Sequence, residues 1–339
     1  MSKQDKDISM TGDRPTGPLH LGHYVGSLLK RVELQDSVKQ FVMIADVQAM
    51  TDHVKEPQMV QQNVWEVLAD YLAVGIDPKK SVIFLQSQIP ALFEMTVMYL
   101  NFVTWNRLKH NPTVKKEITQ KAFKEGVPAG FMVYPVSQAA DITAFRANLV
   151  PVGEDQKPMI EQTHEIVRAF NRTYDTDVLV SPQAVMSKMT RLSGLDGKTK
   201  MSKSLGNAIF LKDDAKTLEK KVKKMYTDPN HLRVEDPGAV EGNTVFEYLD
   251  IFGSNREEVE TLKDHYKRGG LGDGTVKKVL LRELSTFLGP LSERRKNYFE
   301  DKDYLHSVLK EGTIQARAVA DETLNLMKEA MHTNYQLFS

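Results

Sequence analysis

The chain has 339 residues, of which 41% are hydrophobic, and its 45 basic side chains balance its 45 acidic ones. This length and apolar content are enough for two domains with sizeable cores. The zero net charge excludes a uniformly basic surface, so any nucleic-acid-binding surface must be a local patch. The absence of cysteine excludes disulfides and cysteine-ligated zinc or iron–sulfur clusters.

Membrane association is not expected from the hydropathy pattern. No apolar run is long enough to span a bilayer, and residues Met1 to Met10 lack the pattern of a signal peptide. We therefore expect a cytoplasmic protein with no membrane partner.

The first part of the chain alternates between strand and helix patterns. The apolar runs Phe41–Ala45 and Ser81–Gln86 predict strands, and the amphipathic segment Pro57–Val74 between them predicts a helix that ends at Gly75. A strand–helix–strand order predicts a parallel sheet with right-handed crossovers, and ligands bind at the carboxyl ends of such strands. The prediction is an α/β fold with a Rossmann-like catalytic domain over residues 1–213, including a helical insertion around 90–150.

The pattern changes after about Asp213, where long helical periods dominate. These helical segments are Ala215–Met225, Thr275–Phe287 and Thr313–Met331, and a break at Gly269–Gly272 separates helical stretches. We therefore predict an α-helical C-terminal domain over residues 214–339.

A first motif that is suited to phosphate binding lies in the loop Pro15–His23. Glycines and prolines break regular structure just before an apolar helical run, and the free amides at a helix start suit an anion. Gly22 leaves no side chain where a nucleotide would lie against the backbone. His20 and His23 share a helix face and can each donate a hydrogen bond to phosphate. Taken alone, the pattern also fits a helix with two incidental surface histidines.

A second motif, Lys200-Met201-Ser202-Lys203-Ser204, follows a glycine-containing loop over residues 193–199. Lys200 and Lys203 could close over a pyrophosphate leaving group, where positive charge stabilises the negative charge that develops in the transition state. Taken alone, this pattern also fits a solvated lysine loop. The two motifs together, in this order, indicate one triphosphate held from two sides.

These residues resemble the two signatures of the class I aminoacyl-tRNA synthetases, written HIGH and KMSKS. His20-Leu21-Gly22-His23 differs from the first only at its second residue, and Lys200–Ser204 is identical to the second. The segment Val150–Gln156 resembles the strand-end segment of the tryptophanyl and tyrosyl enzymes, and its residues are those of the tryptophanyl branch. The resemblance spans nearly the whole chain.

The resemblance implies activation of L-tryptophan with ATP to tryptophanyl-adenylate, followed by transfer to tRNA(Trp). It also implies a homodimer and an anticodon-binding role for the helical C-terminal part. Magnesium is expected to accompany ATP without a dedicated all-protein cage. No haem, flavin, iron–sulfur cluster or zinc is expected.

Site residues follow from the resemblance. His20, His23, Lys200 and Lys203 are expected to be catalytic, and Lys115 to assist from the other side of the phosphates. Asp155 is expected at the ribose, and Leu192 and Met201 beside the adenine. The residues expected to contact ATP are Thr11, Arg14, Pro15, Thr16, Gly22, His23, Gly153, Glu154, Asp155, Leu192, Lys200, Met201, Ser202, Lys203 and Ser204.

Three polar residues share one helix face in the segment 131–148, which is predicted to be mostly helical. They are Tyr134, Gln138 and Asp141, and the last could accept a hydrogen bond from an indole N–H, which is only a donor. Tyr134 and Gln138, together with Gln156, are expected to hold the α-ammonium. Met10, Val47 and Gln48 complete the expected tryptophan pocket.

Tyrosine is the main alternative substrate, because the Tyr134, Gln138, Asp141 arrangement is also that of the tyrosyl enzymes. Met10 favours tryptophan, since the tyrosyl branch has a tyrosine at that position and an apolar side chain suits a flat indole. Gln48 and Gln138 depart from the more familiar tryptophanyl pattern and resemble a second bacterial subtype. A small-molecule adenylyltransferase and an inactive tRNA-binding paralogue are the remaining alternatives.

Two basic runs are candidates for tRNA contact. Lys220, Lys221, Lys223 and Lys224 form one, and Arg294, Arg295 and Lys296 form the other. Lysine and arginine supply phosphate contacts to nucleic acid, although such runs are also typical of solvated helix faces.

Overall fold

A computed structural model of the chain describes residues 7–121, 123, 124, 126–153, 156–186 and 192–335. Its sheet has five parallel strands in the order β3-β2-β1-β4-β5. The strands are β1 (Ile8–Asp13), β2 (Lys39–Ile44), β3 (Ser81–Leu85), β4 (Leu149–Val152) and β5 (Gln183–Met186). The strand order reverses between β1 and β4, so a crevice opens at the carboxyl ends of these two strands. The predicted α/β class with a parallel sheet is confirmed.

Fourteen α-helices lie in the described part of the chain. They are α1 (Leu21–His23), α2 (Leu29–Leu34), α3 (Asp46–His53), α4 (Pro57–Val74), α5 (Pro90–Tyr99), α6 (Trp105–Lys109), α7 (Pro112–Lys121), α8 (Ala129–Thr143), α9 (Lys157–Thr173), α10 (Ala215–Lys223), α11 (Thr244–Phe252), α12 (Arg256–Arg268), α13 (Asp273–Glu300) and α14 (Lys302–Ala330). A π-helical turn, Tyr24–Leu28, joins α1 to α2. None of the described helices is long and apolar enough to cross a membrane.

Helix α4 matches its prediction at both ends because its local signals are strong. Pro57 occupies the first turn, where a missing N–H is harmless, and Gly75 ends the helix at φ 103°. The segment 131–148, which is predicted to be mostly helical, is helical as far as Thr143, where α8 ends. After it, Arg146 adopts φ 51°, and the Asn148 amide oxygen accepts the backbone N–H of Ile8 at 2.7 Å. These features turn the chain into β4.

The core lies on both faces of the sheet. On one face, residues of α4, α11 and α13 pack in a single cluster with β2 and β3. On the other face, Phe41 and Phe84 pack against Phe145, with ring centroids 4.6 and 4.9 Å from that of Phe145, and α5, α8 and α14 complete the cluster. Both clusters therefore join residues from either side of the predicted boundary. The division at 213/214 stays a prediction, and Asp214 caps α10 by accepting the Thr217 N–H at 2.7 Å.

Helix α14 lies against the edge strand β3 at Gly312. A Cβ placed on Gly312 would lie 1.9 Å from the backbone oxygen of Ile83. We expect Gly312→Ala to lower the free energy of unfolding by about 3 kcal/mol, because neither backbone can move without disturbing a packed layer. The matched variant Gly274→Ala, in open space on α13, should change stability by about 1 kcal/mol or less. Urea unfolding of both variants tests this, and equal losses would contradict the close approach.

Candidate active site

A short antiparallel pairing joins the segments of the two sequence motifs. The backbone N–H of Leu21 donates to the carbonyl oxygen of Ile209, and the N–H of Leu211 donates to that of Leu19, both at 2.9 Å. His20 therefore faces Phe210 across the pair. This pairing holds the two loops together beside the carboxyl end of β1, as the hypothesis of one two-sided phosphate site requires.

Lys203 reaches from the second loop to the first. Its ammonium donates to the carbonyl oxygen of Gly17 at 2.7 Å. Gly17 adopts φ 140°, and a Cβ there would lie 3.1 Å from Lys203 Cδ. Burial lowers the pKa of Lys203 to about 8, against the opposing charges of Asp13 and Asp70. The Lys203 ammonium is therefore partly desolvated and lies beside the first loop. Lys200 and Ser204, in contrast, are exposed.

The second loop also supports the first helix through Met201. The backbone N–H of Gly22 points at the Met201 sulfur, 3.3 Å away, and the Met201 N–H donates to the Leu192 carbonyl oxygen at 3.1 Å. Both Met201 and Leu192 are buried. Met201 thus lies against the helix that carries the histidines, and Leu192 lies behind it; the sequence predicts both beside the adenine.

Asn207 shapes the second loop from within. Its side-chain oxygen accepts the backbone N–H of Ser202 at 2.8 Å, and its amide nitrogen donates to the Thr199 hydroxyl at 2.9 Å. The hydroxyls of Ser202 and Ser204 lie 3.0 Å apart. The loop thus has an internal scaffold, although Asn207 lies outside the signature letters.

His20 and His23 lie in contact, with ring centroids 3.8 Å apart. The backbone N–H of His20 donates to His23 Nδ1 at 3.2 Å, so the neutral His23 ring carries its proton on Nε2. Burial lowers the pKa of His20 to about 2 and that of His23 to about 3, with nearby charges contributing. Both rings are therefore neutral near pH 7 and offer hydrogen bonds rather than charge. The Nδ1 of His20 is buried and has no hydrogen-bond partner among the described residues.

Gly22 provides a test of this packing. A Cβ on Gly22 would lie 2.9 Å from His20 Cε1 and 3.0 Å from Nδ1. Because the His20 ring is buried against His23, we expect Gly22→Ala to displace it and to lower ATP–pyrophosphate exchange about tenfold. Gly26→Ala, one helical turn later and in open space, is the matched control and should exchange at the parent rate. Equal rates for both variants would contradict the packing argument.

A buried ion pair supports the end of β1. Asp13 accepts hydrogen bonds from Arg31 Nη1 at 2.6 Å and from the Tyr71 hydroxyl at 2.8 Å. Burial alone would raise the pKa of Asp13, but Arg31, His23 and these hydrogen bonds hold it well below its usual range. The neighbouring Arg14 donates to Asp52, at 3.4 to 3.5 Å. Thr11 and Pro15 are buried close by in the chain, and Thr16 is half-buried.

Three of the predicted tryptophan-binding residues are buried, namely Met10, Tyr134 and Asp141. Asp141 is 2% exposed, and both its oxygens accept from Gln86 Nε2 at 3.0 Å. The Gln86 side-chain oxygen in turn accepts the backbone N–H of Gln48 at 3.0 Å. Burial raises the pKa of Asp141 to about 7, although the Gln86 hydrogen bond lowers it. Met10 belongs to the same buried cluster as Tyr134.

Tyr134 and Gln138 lie on α8 with Asp141, as predicted. The Tyr134 hydroxyl donates to Glu117 Oε2 at 3.0 Å, and burial, helped by Glu117, raises the pKa of Tyr134 well above its usual range. Gln138 is half-buried. A carboxylate therefore lies where the sequence predicts an α-ammonium.

Two predicted residues lie apart from the others. Val47 is 38% exposed and lines a separate surface cavity of about 760 Å³ with Trp65 and His306. Lys115 is exposed on α7, and no described contact joins it to either loop.

Gly153 follows β4, and its carbonyl oxygen accepts the Gln156 N–H at 3.0 Å. Glu154 and Asp155 lie outside the described residues.

The second basic run is exposed only in part. Arg295 is buried in ion pairs with Glu66 and Asp70, and the Arg294 guanidinium donates to the Ala73 carbonyl oxygen. Lys296 remains exposed. In the first run, Lys220 and Lys224 are exposed. The prediction of phosphate contact from Arg295 is therefore wrong, because local sequence cannot show which basic side chains meet buried carboxylates. For Arg294, which is exposed, phosphate contact stays a prediction.

Sequence reasoning missed the residues that orient the predicted ones. These are Asp13, Asp52, Gln86, Glu117 and Asn207. Gln86 had a signal, because it ends a predicted strand at the sheet edge where ligands bind. Asn207 bonds within its own loop, and the three carboxylates have partners that are distant in sequence. No group of three or more potential metal-ligating side chains occurs within the described ranges.

Comparisons with known proteins agree with this geometry. A family model described as tRNA synthetases class I (W and Y) matches residues 2–289. The tryptophan–tRNA ligase of Streptococcus pyogenes serotype M3 is 58% identical over 337 residues, covering 97% of this chain and 99% of the relative. That of Lactococcus lactis subsp. lactis is 57% identical over the same coverage.

A solved structure is similar along almost its whole length. It is the tryptophanyl-tRNA synthetase of Campylobacter jejuni complexed with ADP and tryptophan, which superposes with a TM-score of 0.85 at 30% identity and covers 96% of this chain and 99% of that one. Near-complete coverage in both directions means that the two proteins share one fold from the parallel sheet to the C-terminal helices. The chain therefore belongs to the class I tRNA synthetases of the tryptophan and tyrosine group, within the tryptophan–tRNA ligase branch.

Proposed function

We infer that the chain activates L-tryptophan with ATP and then transfers the tryptophanyl group to tRNA(Trp). The observation that carries this inference is the near-full-length identity of 58% to tryptophan–tRNA ligases. The second signature motif is complete, and the first differs at one residue. The geometry supports it, because the pairing of Leu19–Leu21 with Ile209–Leu211 brings the two motifs together.

The proposed first step is an in-line displacement at the α-phosphorus. A carboxylate oxygen of tryptophan forms a bond to the α-phosphorus, the bond to the bridging oxygen breaks, and pyrophosphate leaves with the electron pair. The Lys203 ammonium, with Lys200, would stabilise the leaving pyrophosphate, and the neutral His20 and His23 would donate hydrogen bonds to phosphate oxygens. In the second step, a terminal ribose hydroxyl of the tRNA attacks the carbonyl, and AMP leaves.

No side chain acts as a nucleophile in this scheme. The proposed work of the protein is positioning and charge stabilisation. ATP would enter as its magnesium complex, with the ion held mainly by phosphate oxygens and water. Asp155 and Gln156 are assigned to the ribose and the amino acid by resemblance alone.

The proposed amino-acid pocket places the indole against Met10, with its N–H donating to Asp141. Because Asp141 is buried and already oriented by Gln86, the acceptor would need little reorganisation. The Glu117–Tyr134 pair brings negative charge toward the α-ammonium, beside Gln138. Val47, which is exposed, would contribute no direct contact, whereas Gln48 would act through Gln86.

We also propose a cytoplasmic homodimer, since the substrates are those of protein synthesis and the resemblance implies a symmetric pair. Sedimentation equilibrium over a range of concentrations tests the oligomeric state. A mass near twice 38.4 kDa is expected, and a monomer at all concentrations would contradict the dimer.

The function is tested by ATP–pyrophosphate exchange with each amino acid separately, without tRNA. Exchange with tryptophan alone is expected, followed by tryptophan acceptance on tRNA(Trp). Exchange with tyrosine instead would overturn the substrate assignment. Exchange with no amino acid, although tRNA binds, would overturn the enzymatic function.

A further inference from the structure

A buried charge cluster joins helix α13 to helix α4, and the proposed mechanism does not use it. The cluster consists of Glu66, Asp70 and Arg295, which are 8%, 0% and 6% exposed. Arg295 Nε donates to Asp70 Oδ1 at 2.5 Å, while its Nη2 donates to Glu66 Oε2. Lys212 adds a longer contact to Glu66, at 3.4 Å. One guanidinium thus spans two carboxylates that lie one helical turn apart.

Only one of the two carboxylates, that of Asp70, also contacts the first loop. The second oxygen of Asp70 accepts the backbone N–H of Leu19 at 2.7 Å. Leu19 immediately precedes His20, and its carbonyl oxygen accepts the N–H of Leu211. The Leu19 residue is therefore held on one side by α4 and on the other by the segment that follows the second motif.

The two oxygens of Asp70 have separate partners that both donate. Replacement of one oxygen by an amide nitrogen would place a donor against a donor, so one of the two hydrogen bonds must be lost. Burial raises the pKa of Asp70 to about 6, and Arg295 and the Leu19 amide oppose this. The negative charge of Asp70 also acts on Lys203 and raises the pKa of that ammonium.

We propose that Asp70 and Arg295 are positioning residues for adenylate formation, because they fix the Leu19 amide and thereby the buried His20 ring. The inference rests on the proposed function, since it assigns His20 to the phosphates. Helix α13, far along the chain, is on this basis a structural part of the nucleotide site. Movement of α13 along its axis would be transmitted to the first loop through two hydrogen bonds.

The test compares two isosteric changes on one helix, Asp70→Asn and Glu66→Gln. Both remove a buried carboxylate that binds the same guanidinium. Only Asp70 also accepts the Leu19 N–H, so only the first change breaks the connection from Arg295 to Leu19, at one hydrogen bond or the other. We expect Asp70→Asn to lower kcat of tryptophan-dependent exchange about 10- to 100-fold, since a displacement of about 1 Å can have that effect. Tryptophan binding without ATP, measured by equilibrium dialysis, should stay at the parent value. Glu66→Gln should lower the melting temperature and leave kcat at the parent value.

A pH profile separates positioning from a merely structural role. Loss of the Asp70 charge lowers the pKa of Lys203, so the alkaline fall in kcat/KM for ATP should move to lower pH in Asp70→Asn and stay in place in Glu66→Gln. Equal kinetics in the two variants, or losses that follow their melting temperatures, would overturn the proposal. If Asp70→Asn does not fold, Arg295→Lys tests the positioning role instead, because lysine keeps the charge but cannot span both carboxylates. Its kcat should fall several-fold with tryptophan binding retained, and a parent kcat would overturn the proposal.

Failure of this inference is distinguishable from failure of the proposed function. The parent protein is assayed beside the variants. An inactive parent overturns the function, whereas an active parent with an equally active Asp70→Asn variant overturns only the positioning role.

Discussion

Replacement of Lys203 by methionine should lower kcat of tryptophan-dependent ATP–pyrophosphate exchange by about 10²- to 10³-fold. Removal of one preorganised donor from developing negative charge typically has an effect of this size. The Lys203 ammonium is already held 2.7 Å from the Gly17 carbonyl oxygen. In the parent protein it therefore needs little reorganisation during the reaction. The KM for tryptophan should not change, because Lys203 lies on the phosphate side.

Stability distinguishes this loss from misfolding. Lys203 is partly buried and its pKa is lowered by burial, so methionine should leave the melting temperature unchanged or raise it. Lys198→Met, on the same loop but exposed and outside the signature, is the matched control and should keep the parent rate. A large loss in both variants would mean that general positive charge on the loop, rather than Lys203, stabilises the leaving group.

The same residue predicts the direction of a pH effect. The pKa of Lys203 in the free protein is about 8, so the ammonium is charged below this pH and neutral above it. We expect kcat/KM for ATP, which reports the free enzyme, to fall as pH rises through about 8. Lys203→Arg should move this fall to higher pH, because a guanidinium stays protonated. An unchanged alkaline limb would assign it to another group.

Replacement of Asp141 by alanine should lower kcat/KM for tryptophan by about 10²-fold. The indole N–H would be buried without an acceptor, and an unmade hydrogen bond of this kind costs about 1–3 kcal/mol, or more when the partner is charged. Gln86, which donates to both oxygens of Asp141 at 3.0 Å, would also lose its partner. The KM for ATP should stay at the parent value.

A substrate analogue provides the control for Asp141. An amino acid with sulfur in place of the indole N–H cannot donate to the carboxylate, so the parent protein should discriminate strongly against it. In Asp141→Ala this discrimination should largely disappear, since the two losses remove the same hydrogen bond and are not additive. If both compounds lose activity equally in the variant, Asp141 does not accept the indole N–H.

Local signals in the sequence predicted local structure well. Pro57 and Gly75 define the ends of α4, and the alternation of apolar runs predicted the parallel sheet. The motif residues were also correctly expected to meet, since Lys203 contacts Gly17. The exact end of α8 was not predicted, because the turn at Arg146 and the pairing of Asn148 with Ile8 depend on the neighbouring strand rather than on helix periodicity.

Partners that are distant in sequence could not be predicted. Arg295 lies in a basic run that is typical of a solvated face, yet it is buried against Asp70 and Glu66. Val47 has an apolar side chain close to the predicted pocket in sequence, but it faces a separate cavity. In both cases the direction of the side chain is decided by tertiary packing, which carries no periodic signal along the chain.

The contact between α14 and β3 has a consequence for synthesis on the ribosome. Gly312 touches the backbone of Ile83, which is made 229 residues earlier, and the part of the sheet face at β3 therefore stays uncovered until the last helix emerges. Nascent chains usually fold domain by domain from the amino terminus. Here the first loop depends on α13, through Asp70, and the edge strand β3 depends on α14, and both helices are made late. A ribosome-bound chain that ends before residue 302 should be more sensitive to protease, and more dependent on chaperones, than the released protein.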